Sequence, residues 1–388
     1  MSTERAPLSI YVHWPFCRSK CPYCDFNSHV ATAVDHDRWR QSLLAELDYF
    51  AGRAPANEFQ VVTVFFGGGT PSLMAPDTVA AVIARARAAW RAADDIEISL
   101  EANPTSAEAD KFAAYCAAGV NRISLGVQAL DDDALKFLGR QHGVAEARKA
   151  VALAQRHAGR VSFDLIYARP GQTAAAWQAE LRAALGIGTS HLSLYQLTLE
   201  KGTPFYGAAQ HGAFALPDED LGAALFEATQ ETCAAAGLPG YEISNHARPG
   251  EECRHNLTYW QSGDYAGIGP GAHGRLTAGG AVWATVQQRA PEAWLAAVET
   301  DRHATQSRTA VPAAERTVEV LMMGLRLARG IAREDFRRRT GQTFEQALNA
   351  DAVDRLTRLG LVALDDGGFR ASAPGRQRLN AVLAELVR

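Results

Sequence analysis

Over roughly its first two hundred residues the chain alternates short β-rich runs with amphipathic helical stretches, and this alternation narrows the fold more than any single residue does. Six such runs stand at 8–14, 61–66, 96–100, 122–127, 161–167 and 191–197. Between the first two, Trp39, Leu43, Leu44, Leu47 and Phe50 recur at helical spacing, which gives a helix one apolar face to lay on a sheet. Strands that alternate with helices pair in parallel, so the expected class is α/β. Six βα units are fewer than the eight of a closed barrel; the expectation is a partial, TIM-like (β/α)6 barrel with its chemistry at the C-terminal ends of the strands.

The unusual polar residues fall at those ends. The first run leads into Cys17-Arg18-Ser19-Lys20-Cys21-Pro22-Tyr23-Cys24, the second into Gly67-Gly68-Gly69-Thr70-Pro71, the third into Glu101-Ala102-Asn103-Pro104 and the fourth into Gln128; the fifth carries Asp164. Five polar features at one end of one sheet make a site. Three cysteines at CxxxCxxC spacing, with no fourth close by, suit an iron–sulfur cube that keeps one iron open to a small molecule. The alternative, a zinc knuckle, pairs two CxxC-type halves, and one half is present. The glycine run lets backbone approach a ligand, but lacks the Lys-Ser/Thr pair of a phosphate loop.

A chain of 388 residues with 47% hydrophobic and 21% charged residues has room for one large α/β domain and a smaller one. A formal net charge of -4 gives no reason to expect nucleic acid or an anionic membrane as partner, and no apolar run approaches the ~18 residues of a membrane span. The expected compartment is the cytoplasm. Three of six cysteines are clustered, which is not a disulfide framework; Cys116, Cys233 and Cys253 read as buried small residues or bystanders. The expected organisation is a core over 1–205, a connecting region over 206–312 and a C-terminal domain over 313–388. In the connecting region a helix at 223–236 is clear and the rest is not. The C-terminal domain reads as helices at 318–327, 333–340 and 344–359, a hairpin about Asp365-Asp366-Gly367-Gly368, and a last helix striped by Leu379, Val382, Leu383 and Leu386. That order is winged-helix-like, with Arg337-Arg338-Arg339 as a solvated face rather than a phosphate contact.

With CxxxCxxC directly after a strand, the chain resembles the radical S-adenosylmethionine (SAM) superfamily, whose signature this is. The resemblance implies a [4Fe-4S] cluster held by Cys17, Cys21 and Cys24, with SAM on the open iron and the barrel of the radical SAM type. It carries Tyr23 over to the adenine and Gly68, Gly69 and Thr70 to the SAM ammonium. Glu101, Gln128, Arg140 and Asp164 fall to the ribose, the carboxylate and neighbouring groups, and Tyr11 is a further SAM contact. The side-chain chemistry suits these roles, since carboxylates accept from vicinal hydroxyls and a guanidinium pairs with a carboxylate.

Four stretches narrow the resemblance to the coproporphyrinogen-oxidase-like branch: Tyr11-Val12-His13-Trp14-Pro15-Phe16-Cys17, Phe66-Gly67-Gly68-Gly69-Thr70-Pro71-Ser72, Arg122-Ile123-Ser124-Leu125-Gly126-Val127-Gln128 and Asp164-Leu165-Ile166-Tyr167. A departure is Ala168-Arg169-Pro170-Gly171, where that branch has Gly-Leu-Pro-Gly. The oxidases carry a further cysteine two residues after the third, and an N-terminal extension; here Phe26 takes that position and sixteen residues precede Cys17. Cys24-Asp25-Phe26-Asn27-Ser28, His255-Asn256-Leu257-Thr258-Tyr259-Trp260 and Met322-Met323-Gly324-Leu325-Arg326 instead resemble the HemW-like heme chaperones. This implies heme as cargo and apo-proteins of the respiratory chain as recipients. His255 is a candidate axial ligand, with Tyr259 and Trp260 on the porphyrin faces and Cys253 and His246 as weaker candidates; the plainer reading of His255 is a packed, hydrogen-bonded cluster. The rival function is an oxygen-independent coproporphyrinogen III oxidase, and a third is a nucleic-acid binder with a redox-sensing cluster. The sequence does not indicate the oligomeric state.

Overall fold

The computed structural model describes residues 5–386, so the outermost residues of the 1–205 and 313–388 spans lie outside the described residues. Six strands, β1 (Ala6–Trp14), β2 (Phe59–Gly68), β3 (Arg91–Ala102), β4 (Arg122–Gln128), β5 (Arg160–Tyr167) and β6 (His191–Gln196), lie side by side in chain order. All their pairings are parallel. They are the six expected runs, with β3 starting earlier because Arg91 and Ala92 pair with Gln60 and Val61.

Side chains alternate across a strand, and here the two parities have different chemistry. Ile98, Leu100, Ile123, Leu125, Phe163 and Leu165 point outward into the main apolar core. There they meet helices α1 (His36–Ala51), α2 (Pro76–Ala89), α3 (Val144–His157) and α4 (Ala174–Leu185). Trp39, Leu43, Leu47 and Phe50 form the buried face of α1, as their spacing requires. The other parity supplies Arg122, Ser124, Ser162, Asp164, His191 and Ser193, which line a partly open chamber of about 680 Å³. A closed TIM barrel fills this space with branched apolar side chains; here it is polar and hollow.

The connecting region, whose fold the sequence leaves open, extends the same sheet on both edges. β7 (Asn245–Ala247) pairs antiparallel with β6, and β8 (Asp264–Ile268) pairs parallel with the free side of β1. β9 (His273–Ala278), β10 (Ala281–Gln287) and β11 (Thr305–Ala310) follow antiparallel, giving an eleven-stranded sheet. Trp294, from the segment between β10 and β11, stacks on Trp39 of α1 with ring centroids 5.1 Å apart. The helix expected at 223–236 runs over Glu219–Ala235, because Asp218 caps it by accepting from Leu221 N.

The C-terminal residues build a second core from Val320, Leu321, Phe336, Phe344, Val382 and Leu386. The helix expected at 344–359 is two, Phe344–Ala347 and Ala350–Arg358. Leu348 is extended, and Asn349 restarts the helix by accepting from Ala352 N. The hairpin pairs Val362–Asp365 with Gly368–Ala371 as expected. Among the described residues no helix is long and apolar enough to cross a membrane.

Candidate metal and cofactor site

The cysteine loop leaves β1 and is braced against the loop that leaves β2. Gly69 N donates to Trp14 O at 2.7 Å and Thr70 N to Phe16 O at 2.9 Å. Glycine is required at both contact points. Gly68 has φ +114°, and a Cβ there would lie 2.8 Å from Trp14 O; at Gly69 it would lie 2.8 Å from Phe16 O and 3.1 Å from Cys17 Sγ. On the other flank Asn27 Nδ2 donates to Pro270 O (2.9 Å) and Arg289 O (3.0 Å), tying the loop to the second half of the sheet.

The loop sets Cys17, Cys21 and Cys24, all free and half-buried, around one cleft of about 980 Å³. Gly68, Gly69, Thr70, Glu101, Gln128, Arg140, Asp164 and Tyr23 line the same cleft, so most of the residues singled out in the sequence are brought together. Thr70 Oγ1 donates to Cys17 Sγ at 3.2 Å, and Arg140 Nη1 to Cys21 Sγ at 3.2 Å. Asn103, which the sequence reading did not single out, joins these two donors. Its Nδ2 donates to Thr70 Oγ1 (3.2 Å) and its Oδ1 accepts from Arg140 Nη2 (2.6 Å). The signal was present, since Asn103 directly follows the strand, two residues after Glu101, and an amide offers a donor and an acceptor from one short side chain.

This donor set fits an iron–sulfur cluster. A hydroxyl and a guanidinium aimed at two sulfurs favour the thiolate, the ligand form of cysteine, and at Cys17 they act against the burial that raises the thiol. Three thiolates that each take a different iron stand farther apart than ligands of one ion. Among the described residues, no three His, Cys, Asp or Glu side chains converge on a single-ion site. The cleft also holds unmet polar capacity, because Gln128 Oε1 and Arg140 Nε are buried with no hydrogen-bond partner. A polar cofactor would meet it.

Two acids lie on the floor of the cleft. Burial, reinforced by the nearby Asp164 charge, pushes Glu101 up to about 8, with the Gly68 backbone N–H pulling the other way. Burial pushes Asp164 up to about 6 against the hydroxyls of Ser193 and Ser124 and the charge of Arg140. Buried carboxyls accept hydrogen bonds and, where protonated, also donate one, which suits a hydroxyl-rich ligand.

Two expected site residues stand elsewhere. Tyr11, expected as a SAM contact, lines the polar chamber beneath the glycine loop, with its hydroxyl 3.1 Å from His13 Nδ1. His255, expected as an axial heme ligand, is buried on a helix over Arg254–Trp260, and both of its ring nitrogens are engaged. Thr63 Oγ1 donates to Ser9 Oγ (2.8 Å) and is 2.7 Å from His255 Nδ1; Tyr259 OH is 2.7 Å from Nε2. In that chain Nδ1 carries the proton and donates to Thr63, while Nε2 accepts from Tyr259. No lone pair is free for iron, and burial lowers the ring to about 3. The packed, hydrogen-bonded reading holds, and it corrects the ligand expectation. Cys253 is buried with its thiol 3.7 Å from Glu97 Oε1, and His246 is buried with Nε2 3.1 Å from Gln230 Nε2; neither lines the cysteine cleft.

Comparison with known proteins agrees with this geometry. The Radical SAM superfamily profile matches residues 11–184, and the HemN C-terminal domain profile matches residues 311–378. Radical S-adenosyl methionine domain-containing protein 1, mitochondrial, from Bos taurus is 41% identical over 397 residues, 99% of this chain and 88% of its own. The heme chaperone HemW of Escherichia coli (strain K12) is 41% identical over 338 residues, 86% of each chain. The structure of coproporphyrinogen III oxidase (HemN) from Escherichia coli shares the fold, with TM-score 0.81 at 21% identity over 98% of this chain and 90% of that one. Motif, cleft and relatives coincide, and the chain belongs to the radical SAM superfamily, in its HemW-like branch with a HemN-type C-terminal domain.

Proposed function

We propose that this chain is a heme chaperone. It would carry the [4Fe-4S] cluster and SAM that its family implies, bind heme as cargo, and pass it in the cytoplasm to apo-proteins of the respiratory chain. The observation that carries this reading is the 41% identity to the Escherichia coli heme chaperone across 86% of both chains. A cluster with one open iron supplies a binding point for SAM and an electron source beside it. Around it Cys17, Cys21 and Cys24 hold the irons, Thr70 and Arg140 donate to the sulfurs, and Asn103 fixes both donors. Glu101 and Asp164 accept from the ribose hydroxyls, and Gln128 offers its free amide oxygen.

A wider cleft that adjoins the first and shares Cys24, Glu101, Gln128 and Asp164 with it supports heme as cargo. It opens beside the cysteine loop with a volume of about 1330 Å³, between the C-terminal ends of β5 and β6 and Phe226. Phe26 and Tyr195, 63% and 42% exposed, are two of the large apolar side chains left open to solvent, and both line it with Ile166, Leu197 and Ile243. Aromatic and aliphatic walls suit the faces of a flat macrocycle. Phe26 also stands where the oxidases carry a cysteine.

The test is anaerobic turnover of the reconstituted protein with SAM, a reductant and coproporphyrinogen III, read by mass spectrometry beside an active oxidase. The expected result is no decarboxylated product. Product at a rate near the control would replace the chaperone reading with the oxidase.

A further inference from the structure

Among the described residues, four that are not glycine have positive φ, and two of them stand at the C-terminal ends of adjacent strands, one of which, Gln128, lines the cofactor cleft. Gln128 (φ 72°) ends β4, where the register with β5 slips, and Ala168 (φ 56°) follows β5. Left-handed backbone is costly for a residue with a Cβ and persists where its surroundings impose it. Both departures are tied to one side chain, Glu180 of α4. Leu130 N donates to Glu180 Oε1 at 2.7 Å, two residues after Gln128. Arg169, next to Ala168, grips both carboxylate oxygens, at 3.2 Å and 2.5 Å, and Gln172 Nε2 donates to Oε2 at 3.2 Å. Arg169 Nη1 also donates to Ile166 O at 3.1 Å. The ion pair is shielded, with side chains 10% and 9% exposed. A bidentate buried pair whose remaining oxygen capacity is used by a backbone amide holds its loops in one geometry.

We infer that Glu180, together with Arg169, is a positioning clamp for the SAM site: it holds Gln128 in its left-handed conformation, so that the free amide oxygen of Gln128 is presented to the cofactor. Neither clamp residue lines the cysteine cleft, which Gln128 does. Arg169 falls in the loop where this chain departs from its branch, and its buried pair with Glu180 supplies a local reason for the left-handed Ala168. This rests on the reading of the cleft as the SAM site, and the test separates the two.

Glu180→Gln keeps the side-chain volume, but its amide can turn an oxygen toward Leu130 or toward the second Arg169 nitrogen and Gln172, not both. Three quantities are read: amide hydrogen exchange over 128–131 in the cofactor-free protein, iron content after reconstitution, and SAM affinity. Exchange over 128–131 is expected to rise with iron content unchanged, and SAM affinity to fall about tenfold, as for loss of a second-layer support. Gln128→Ala is expected to weaken SAM comparably, and the double variant no further, because both changes remove one interaction. Losses that multiply, or unchanged exchange, overturn the clamp. Absence of SAM binding by the wild-type protein would instead defeat the reading of the cleft, and the exchange result would then decide the clamp alone. If Glu180→Gln does not fold, Arg169→Met, which removes the other half of the pair, carries the same expectations.

Discussion

Two polar clusters stand on the inner side of this sheet, and they differ in completeness. Around His255 every donor meets an acceptor, from Ser9 through Thr63 and the imidazole to Tyr259. Around the cysteines the bonding stops short, with the Cys17 and Cys21 sulfurs receiving donors, Gln128 Oε1 and Arg140 Nε unmet, and two acids lifted by burial. Both clusters sit in distinctive sequence motifs, so motif content does not separate them. Unmet capacity among each cluster's own side chains does, because a buried polar group without a partner costs free energy that a ligand can recover; the chamber wall beside His255 is itself unmet at Arg122 Nη2 and His191 Nδ1.

The contrast can be broken by substitution, starting at the unfinished cluster. Replacing Cys17, Cys21 or Cys24 with serine should abolish the cluster, taking iron and sulfide from about four each per chain to near none after anaerobic reconstitution. Retention of a full cluster in any of the three would remove that cysteine from the ligand set. Arg140→Met deletes donors to Cys21, Asn103 and the Gly126 carbonyl. It should lower the stability of the cofactor-free protein by about 3 kcal/mol in urea denaturation, as for hydrogen bonds to a charged group.

At the finished cluster the effects are smaller and of another kind. His255→Phe strands the Thr63 and Tyr259 hydroxyls, and should cost about 2 kcal/mol of stability while heme affinity stays unchanged. The acids act through pH instead. Their raised folded values mean that the folded chain holds protons that the unfolded chain has released. Stability therefore falls as pH rises from about 4, where an unfolded carboxyl ionises, to the Glu101 value of about 8. Glu101→Gln should flatten the melting temperature of the cofactor-free protein across that window. An unchanged slope would show that Glu101 is not the group responsible.

The six parallel strands and the cleft that gathers the three cysteines, Glu101, Gln128 and Asp164 were legible because these residues stand in or just after the strands' C-terminal halves, which converge in a parallel sheet; Arg140, which follows a helix, was legible through the resemblance alone. Three other features were not. The strands over 245–310 are short, face solvent, as in β11, or, as in β10, carry an apolar run too brief to tell strand from helix. The break at Leu348 and Asn349 depends on a cap, which a leucine-rich helical pattern masks. His255 misled because a histidine followed by aromatics offers iron a ligand in sequence, whereas its availability depends on Thr63, a residue 192 positions away.

The most direct measurement of the central claim is a heme titration, followed by absorption spectroscopy, of the wild-type protein and of His255→Phe, both in the folded state. Saturation near one heme per chain is expected in both proteins, with the same spectrum, because neither His255 nor its hydrogen-bond partners Thr63 and Tyr259 line the cargo cleft. No saturable binding by the wild-type protein would contradict the chaperone reading, and loss of binding or a changed spectrum in His255→Phe alone would restore His255 as the ligand.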